Sequence, residues 1–433
     1  MTKLSSSKAA PLIGTITVPG DKSISHRSLI MGAMAVGESK ITGLLEGEDV
    51  LDTAKALRAL GADIYQGNNA TWHVHGVGIG GLIEPEEPLD MGNSGTGVRL
   101  MMGLVATHPI SVTFTGDASL SSRPMKRVTV PLSKFGASFD GNEDGTLPIT
   151  VKGAKLPLPV TYELPVASAQ VKSAVMLAGL NTPGHTTVIE NIPTRDHSER
   201  IFKYFEVPIK LEQNKIQVTG HTEIKAKNMT VPSDPSSAAF LMIAALITEG
   251  SDITINNVGI NPARTGLFTT LIEMGGDISF KNIRQECGED VADIRVKHSK
   301  LQGITVPKER APSMIDEYPV LCAAATYAKG ETVMRGIEEL RVKESDRIAV
   351  MVKGLKSCGV TIKEHDDGMT VRCSNVNGTT QIETKLDHRI AMSFLILGLR
   401  AEEPITVDDG SVIETSFPGF VDLMNGLGAK ICQ

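Results

Sequence analysis

Six times along this chain a helical pattern closes in a short apolar–Gly–x–x–apolar turn that leads into a strand. The turns are Leu60-Gly61-Ala62-Asp63-Ile64, Phe135-Gly136-Ala137-Ser138-Phe139, Phe205-Glu206-Val207-Pro208-Ile209, Met274-Gly275-Gly276-Asp277-Ile278, Cys358-Gly359-Val360-Thr361-Ile362 and Leu427-Gly428-Ala429-Lys430-Ile431. Their second residues are separated by 75, 70, 69, 84 and 69 positions. Glycine is expected there because a helix C-terminus often needs a left-handed backbone. The third copy carries Glu206 instead, so an altered turn is expected at that place. Chance explains a single Leu-Gly turn in an α/β protein; it explains a near-regular series poorly.

A second piece recurs with the first: a helix followed by a strand centred on Thr or Ile, as in Gly37-Glu38-Ser39-Lys40-Ile41-Thr42-Gly43, Gly250-Ser251-Asp252-Ile253-Thr254-Ile255 and Gly330-Glu331-Thr332-Val333-Met334. Each unit thus reads strand–helix–strand–helix–strand. Thr230-Val231-Pro232-Ser233-Asp234-Pro235-Ser236-Ser237 echoes Thr17-Val18-Pro19-Gly20-Asp21-Lys22-Ser23 without its lysine, which puts a pseudo-halfway point near residue 230. At 433 residues the chain exceeds one ordinary core, and two domains of three units each are expected.

Only 4% of residues are aromatic against 41% hydrophobic, so small aliphatic side chains fill the interior. No apolar run is long enough for a membrane span, and the N-terminus lacks the apolar stretch of a signal peptide. The five cysteines form no Cys-x-x-Cys pair, which reads as reduced thiols in the cytoplasm rather than disulfides or a thiolate zinc site. A net charge of −7 argues against a general nucleic-acid binder. It leaves room for anionic small ligands, because a cleft can concentrate positive potential on an acidic protein.

Gly14–Val18 reads as a strand, followed by a Pro19-Gly20 turn and Asp21 as a helix cap. That order places Lys22, Ser23 and Arg27 around the first turns of a helix, whose N–H groups and partial positive charge suit an anion. An ordinary capped helix with surface charges is the competing reading. Gly92-Asn93-Ser94-Gly95-Thr96-Gly97-Val98-Arg99 reads equally as an anion nest or a plain turn. Arg123, before Pro124, is held extended and suits bidentate binding of a carboxylate or phosphate, although a solvated loop residue is the commoner reading of any single arginine. Ser168 and Gln170 open another helix and suit hydroxyls and carboxylates. Asp196 is expected to cap the helix after Arg195. Asp316-Glu317, entering an apolar helix, could bind a cation, cap the helix or remove a proton. Lys343 and Arg347 are four apart, on one face if helical. Asp387-His388-Arg389 stands at the mouth of an apolar helix, which points to a site. No HExxH or Gly-x-Ser-x-Gly pattern occurs, and no GxGxxG is read as following a strand. His73-x-His75 reads as a surface pair rather than a metal site.

Together these segments resemble the 5-enolpyruvylshikimate-3-phosphate synthase family. The likeness runs in order over nearly the whole chain and is carried above all by Gly20-Asp21-Lys22-Ser23-Ile24-Ser25-His26-Arg27, Arg341-Val342-Lys343-Glu344-Ser345-Asp346-Arg347 and Asp387-His388-Arg389. Leu44-Leu45-Glu46-Gly47-Glu48-Asp49 and Ala167-Ser168-Ala169-Gln170 resemble the bacterial branch that includes inhibitor-tolerant enzymes. The resemblance implies an α/β fold of two globes, an inside-out α/β barrel with helices inside and sheets outside, built of six βαβαββ repeats, three per globe. One globe would span 21–230 and the other 1–20 with 231–433, with crossovers near 18–22 and 229–236. Ligands in this family bind in a cleft on which the globes close.

The implied reaction moves the enolpyruvyl group of phosphoenolpyruvate to the 5-hydroxyl of shikimate-3-phosphate by addition and elimination through a tetrahedral intermediate, with no metal or other cofactor. The two substrates bring about five negative charges, and each close cation contact is worth about 4 kcal/mol in gross Coulomb terms at an effective dielectric of about 20. By resemblance, Lys22, Ser23, Arg27, Ser168, Gln170, Arg195, Asp316 and Lys343 hold shikimate-3-phosphate. Lys22, the backbone near Gly95, Arg123, Gln170, Arg347 and Arg389 meet phosphoenolpyruvate. Lys22, Asp316 and Glu344 are the implied catalytic residues, with Asp316 as base for the hydroxyl and Glu344, helped by Lys22, exchanging a proton with the enol carbon. A cytoplasmic monomer is expected, with no nucleic-acid or membrane partner. Two departures stand out. Thr415-Ser416-Phe417-Pro418 replaces a common Lys-Thr-Phe-Pro, which removes one cation expected near phosphoenolpyruvate, and Gly95 lacks the methyl that crowds glyphosate in some tolerant relatives. The rivals are the UDP-N-acetylglucosamine enolpyruvyl transferases, whose loop cysteine has no counterpart before Cys287, the RNA 3′-phosphate cyclases, for which no nucleotide site is visible, and a non-catalytic anion-binding protein.

Overall fold

The computed structural model describes residues 2–378 and 381–433. The chain divides into two compact units. The first holds Gly20–Val231 with Gln285–Glu289; the second holds the chain up to Pro19, Pro232–Arg284 and Asp290–Gln433. Each has its own apolar core, one running from Ile24 to Val231 and the other joining Leu4, Leu12 and Val18 to residues 238–431.

Among the described residues, six four-stranded sheets share one plan. A short edge strand runs parallel to a central strand, and an antiparallel neighbour follows. Thus Leu89–Asp90 lies parallel to Ser111–Thr115, which pairs antiparallel with Ile149–Lys152, itself paired with Ser138–Gly141. The sequence repeat is therefore a sheet repeat. Three sheets complete themselves with a distant strand. Met229–Thr230 runs parallel to Val36–Thr42 at Ile41 and Thr42. Ile13–Ile16 runs parallel to Asp252–Ile255. Leu4–Ser7 sits between Ile405–Val407 and Lys430–Cys432, with Leu4 opposite Val407.

The helices divide the labour by composition. Lys22–Met34, Gly95–Val105 and Ala169–Leu180 in the first unit, and Pro235–Ile247, Tyr318–Tyr327 and His388–Gly398 in the second, are buried almost throughout. All 13 residues of Pro235–Ile247 are buried, as a helix apolar on every side requires. The strands alternate instead: along Glu331–Arg335 buried and outward positions take turns. Within each unit helices thus fill the interior and sheets face outward.

The repeated turns adopt one conformation. Gly61, Gly136, Gly275, Gly359 and Gly428 have φ of 104°, 102°, 92°, 83° and 116°. Glu206 has φ of 59°, and its N–H donates to the Lys203 carbonyl at 3.0 Å. The altered turn expected at the third copy is not found. Glu206 takes the same left-handed corner at the steric cost a Cβ brings there, and its carboxylate pairs with Lys227 at 2.7 Å.

Candidate functional site

In the first unit, Asp21 caps the Lys22–Met34 helix, its Oδ1 accepting from Ile24 N at 2.9 Å. Lys22, Ser23 and Arg27 then fall in the first two turns, as the sequence indicates. Arg27 is only 6% exposed. Its guanidinium donates to Ser198 Oγ at 2.8 Å, Ser173 Oγ at 2.6 Å and the Ser23 carbonyl at 2.9 Å, all neutral oxygens. Burial brings its pKa down to about 10, against the opposing pull of Glu199. Arg195 acts on it electrostatically from the loop 190–196. A buried cation set among hydroxyls beside a helix N-terminus favours an incoming anion.

Lys22 forms an ion pair with Asp49, a residue of the Glu48–Ala59 helix. That helix is braced by His26, whose Nδ1 lies 2.8 Å from Thr53 Oγ1. Thr53 Oγ1 also lies 3.3 Å from the Asp49 carbonyl. Burial holds His26 neutral, its pKa lowered to about 3. One turn on, burial and then Asp49 and Asp90 raise Asp52 from 3.8 to about 6. A carboxyl raised on folding costs stability that grows as pH climbs from its unfolded value of 3.8 and is complete above its folded value of about 6. Asp52→Asn is therefore expected to stabilise the protein by about 1 kcal/mol above pH 7, allowing for solvent screening of a half-buried group. The gain should vanish below about pH 4, where folded and unfolded chains both hold the proton. Urea unfolding at the two pH values measures it.

Ser94 caps the Gly95–Val105 helix, accepting from Gly97 N at 3.0 Å. Gly92–Arg99 is thus a turn that opens a helix. A Cβ at Gly95 would stand 2.9 Å from Arg123 Nη1 and 3.1 Å from Arg99 Nη1, so glycine admits two guanidinium groups beside this N-terminus. Arg123 is held by Asn93 Oδ1 at 2.6 Å and Ser119 Oγ at 3.1 Å. Gln170 accepts from Arg99 Nη1 at 2.7 Å and donates to Thr96 Oγ1 at 2.9 Å. Ser168 caps its helix through Val171 N. Asp196 stands at a helix N-cap, but its carboxylate takes Arg200 Nε at 2.9 Å and makes no capping bond, contrary to the expected cap.

In the second unit the centre is Arg347, 1% exposed. It donates to Asp387 at 2.8 and 3.3 Å, to Glu344 Oε2 at 2.6 Å and to Asp316 Oδ1 at 3.4 Å. Burial pulls this guanidinium down, yet Asp387, Glu344 and Asp316 together carry its pKa well above the ordinary value. Arg389 donates to the Asp316 carbonyl at 3.2 Å and lies 3.5 Å from Glu317. Lys343 pairs with Glu339 at 2.6 Å. Lys343 and Arg347 do not share a helical face. A 3-10 turn, Glu338–Val342, ends at Lys343, and Asp346 caps a new helix that starts at Arg347. Thr415 Oγ1 turns back to the Val412 carbonyl at 2.8 Å and brings no charge.

The first unit thus gathers Lys22, Ser23 and Arg27 with Arg195 near Arg27, and Gly95 and Arg123 at a second helix start, where Arg99 links Gln170. The second gathers Asp316, Glu344, Arg347 and Arg389. Sequence reasoning gives Arg99 and Lys172 no role and names Asp387 only within the Asp387-His388-Arg389 motif, yet each is buried and central to its cluster. The signal for the first two is a lone cation in an otherwise apolar helix. His73 and His75 lie beside Glu38 and Tyr65. Among the described residues no group of three His, Cys, Asp or Glu could hold a metal.

The sequence profile of EPSP synthase (3-phosphoshikimate 1-carboxyvinyltransferase) matches residues 7–424. A 3-phosphoshikimate 1-carboxyvinyltransferase from Parvibaculum lavamentivorans is 60% identical over 436 residues, covering 99% of this chain and 97% of the relative. Another from Paramagnetospirillum magneticum is 57% identical, covering 99% and 98%. An EPSP synthase structure from Acinetobacter baumannii superposes with a TM-score of 0.91 at 45% identity, covering 100% of both chains. The enolpyruvyl transferase NikO from Streptomyces tendae, at 19% identity, shares the fold with a TM-score of 0.79 over 99% of this chain and 98% of its own.

Proposed function

The chain belongs to the EPSP synthase family, and from that premise we propose how its residues divide the work. The protein is an enolpyruvyl transferase of aromatic amino-acid biosynthesis: it transfers the enolpyruvyl group of phosphoenolpyruvate to shikimate-3-phosphate. Lys22, Ser23, Arg27, Ser168, Gln170 and Arg195 of the first unit hold shikimate-3-phosphate, as do Asp316 and Lys343 of the second. Phosphoenolpyruvate is met by Lys22, the backbone at Gly95, Arg123, Gln170, Arg347 and Arg389. The acceptor is the 5-hydroxyl, deprotonated by Asp316. Glu344 delivers a proton to the enol carbon and removes one when the tetrahedral intermediate expels phosphate. Lys22 balances charge on the departing phosphate.

The observation that supports this division is the meeting of Asp316 and Glu344 on one buried guanidinium, Arg347, at 3.4 and 2.6 Å. Addition–elimination needs one group to take a proton from oxygen and another to trade one with carbon. Two carboxylates oriented by a single buried cation provide both. We place the enzyme in the cytoplasm. None of its five cysteines is disulfide-bonded, and among the described residues no helix is long and apolar enough to cross a membrane.

The test is phosphate release from phosphoenolpyruvate with shikimate-3-phosphate as acceptor and UDP-N-acetylglucosamine in a parallel arm. Release with the first acceptor alone is expected. Release with the sugar nucleotide alone would overturn the reading.

A further inference from the structure

Lys172 lies in the middle of the first unit, on the otherwise apolar helix Ala169–Leu180, and is 0% exposed. An ammonium buried so completely needs partners that offset its desolvation. It has two. Glu190 Oε2 is 3.0 Å away and Glu199 Oε1 is 2.7 Å away. Each carboxylate leads to a different part of the anion cradle.

Glu190 uses its other oxygen on Thr194. Oε1 accepts from Thr194 N at 2.9 Å and from Thr194 Oγ1. Thr194 is bonded directly to Arg195, so this clasp fixes where the Arg195 side chain begins. Glu199 lies on the helix His197–Tyr204, next to Ser198. Ser198 Oγ accepts from Arg27 Nε at 2.8 Å and lies 2.7 Å from Ser173 Oγ, which accepts from Arg27 Nη2 at 2.6 Å. Ser173 follows Lys172 on the same helix. One ammonium therefore ties the segment carrying Arg195 and the helix carrying Ser198 to the helix carrying Ser173, around Arg27. Burial raises the Glu199 carboxyl while Lys172 draws it back down, and Glu199 is the strongest electrostatic support of the buried Arg27.

We infer that Lys172 is a positioning residue for the anionic acceptor: through Glu190 and Glu199 it sets the spacing of Arg195 and Ser198 around Arg27. The inference rests on the reading that Arg27 and Arg195 hold shikimate-3-phosphate. Lys172 itself touches no substrate. A small displacement of a charged clamp costs binding steeply, because the hydrogen bonds it makes to an anion are short and directional.

The experiment is initial-rate phosphate release by the full-length enzyme, varying each substrate at saturation of the other. Lys172→Met is expected to raise KM for shikimate-3-phosphate by about tenfold, with KM for phosphoenolpyruvate changed less than about twofold. Thr194→Val keeps both Lys172 ion pairs and removes only the hydroxyl of the clasp. It should move the same constant in the same direction by about threefold, and it decides the matter if Lys172→Met does not fold. Combined with Arg195→Ala, Thr194→Val should add nothing further, because the clasp acts through Arg195. If Arg195→Ala raises that KM while Thr194→Val and Lys172→Met leave it unchanged, or if the Thr194 and Arg195 effects simply add, the inference falls and the substrate assignment stands. If Arg195→Ala leaves KM unchanged, the assignment falls and the inference with it.

Discussion

Lys22→Ala is expected to lower kcat/KM by about 1000-fold or more and to remove measurable binding of shikimate-3-phosphate. Lys22 stands at the N-terminus of a helix whose interior is buried, where the dipole already favours negative charge. It is the one cation we assign to both substrates, so its loss falls on binding and on the charge that develops on phosphate. The same substitution strips Asp49 of its ammonium partner beside that helix start, which turns an attractive site toward repulsion for a phosphate. Calorimetric titration with shikimate-3-phosphate and a phosphate-release assay, each beside a thermal melt, separate this from misfolding. Turnover within tenfold of the parent in a folded Lys22→Ala protein would contradict the assignment.

Glu344→Gln should divide differently. The amide keeps the shape of the side chain and can still accept from Arg347 Nη2, which lies 2.6 Å from Glu344 Oε2. Both substrates should bind with nearly unchanged affinity. Proton exchange with carbon has no other carboxylate in our assignment, so kcat should fall by about 100- to 10,000-fold. A pre-steady-state measurement of deuterium exchange at the methylene carbon of phosphoenolpyruvate reads the step directly. Near-normal exchange in Glu344→Gln would mean that another group does this work. Asp387 explains why the geometry should survive: it is 0% exposed and grips Arg347 through Nε and Nη2, so the guanidinium does not depend on Glu344 for its place.

What could be read from the chain, and what could not, follows from how far each interaction reaches. The Asp21 cap and the placing of Lys22 and Arg27 are local, set within a few residues by turn chemistry and helix period, and they appear as expected. The six turns are legible for the same reason. Glu206 departs from expectation because a folded unit can hold a non-glycine residue in a left-handed corner when the rest of the fold fixes that corner. Lys343 and Arg347 part company because Asp346 starts a helix between them, and its carboxylate also takes Arg341 Nη1 at 2.9 Å. A four-residue spacing carries no record of that pairing. The gathering of Asp316, Glu344 and Asp387 on Arg347 joins three separate stretches of chain and is a tertiary fact. So is the burial of Lys172, whose partners lie 18 residues on at Glu190 and on a later helix at Glu199.

The two N-terminal strands set an order of events for the protein as it is made. Leu4–Ser7 leaves the ribosome long before its neighbours Ile405–Val407 and Lys430–Cys432 are translated. The stretch Gly20–Val231, with almost all its partners within itself, can condense while the rest is still being synthesised. Leu4–Ser7 must wait, its strand edges unpaired, until those neighbours have emerged. Changes at Leu4–Ser7 and at Lys430–Cys432 therefore strike the same sheet from distant points in translation.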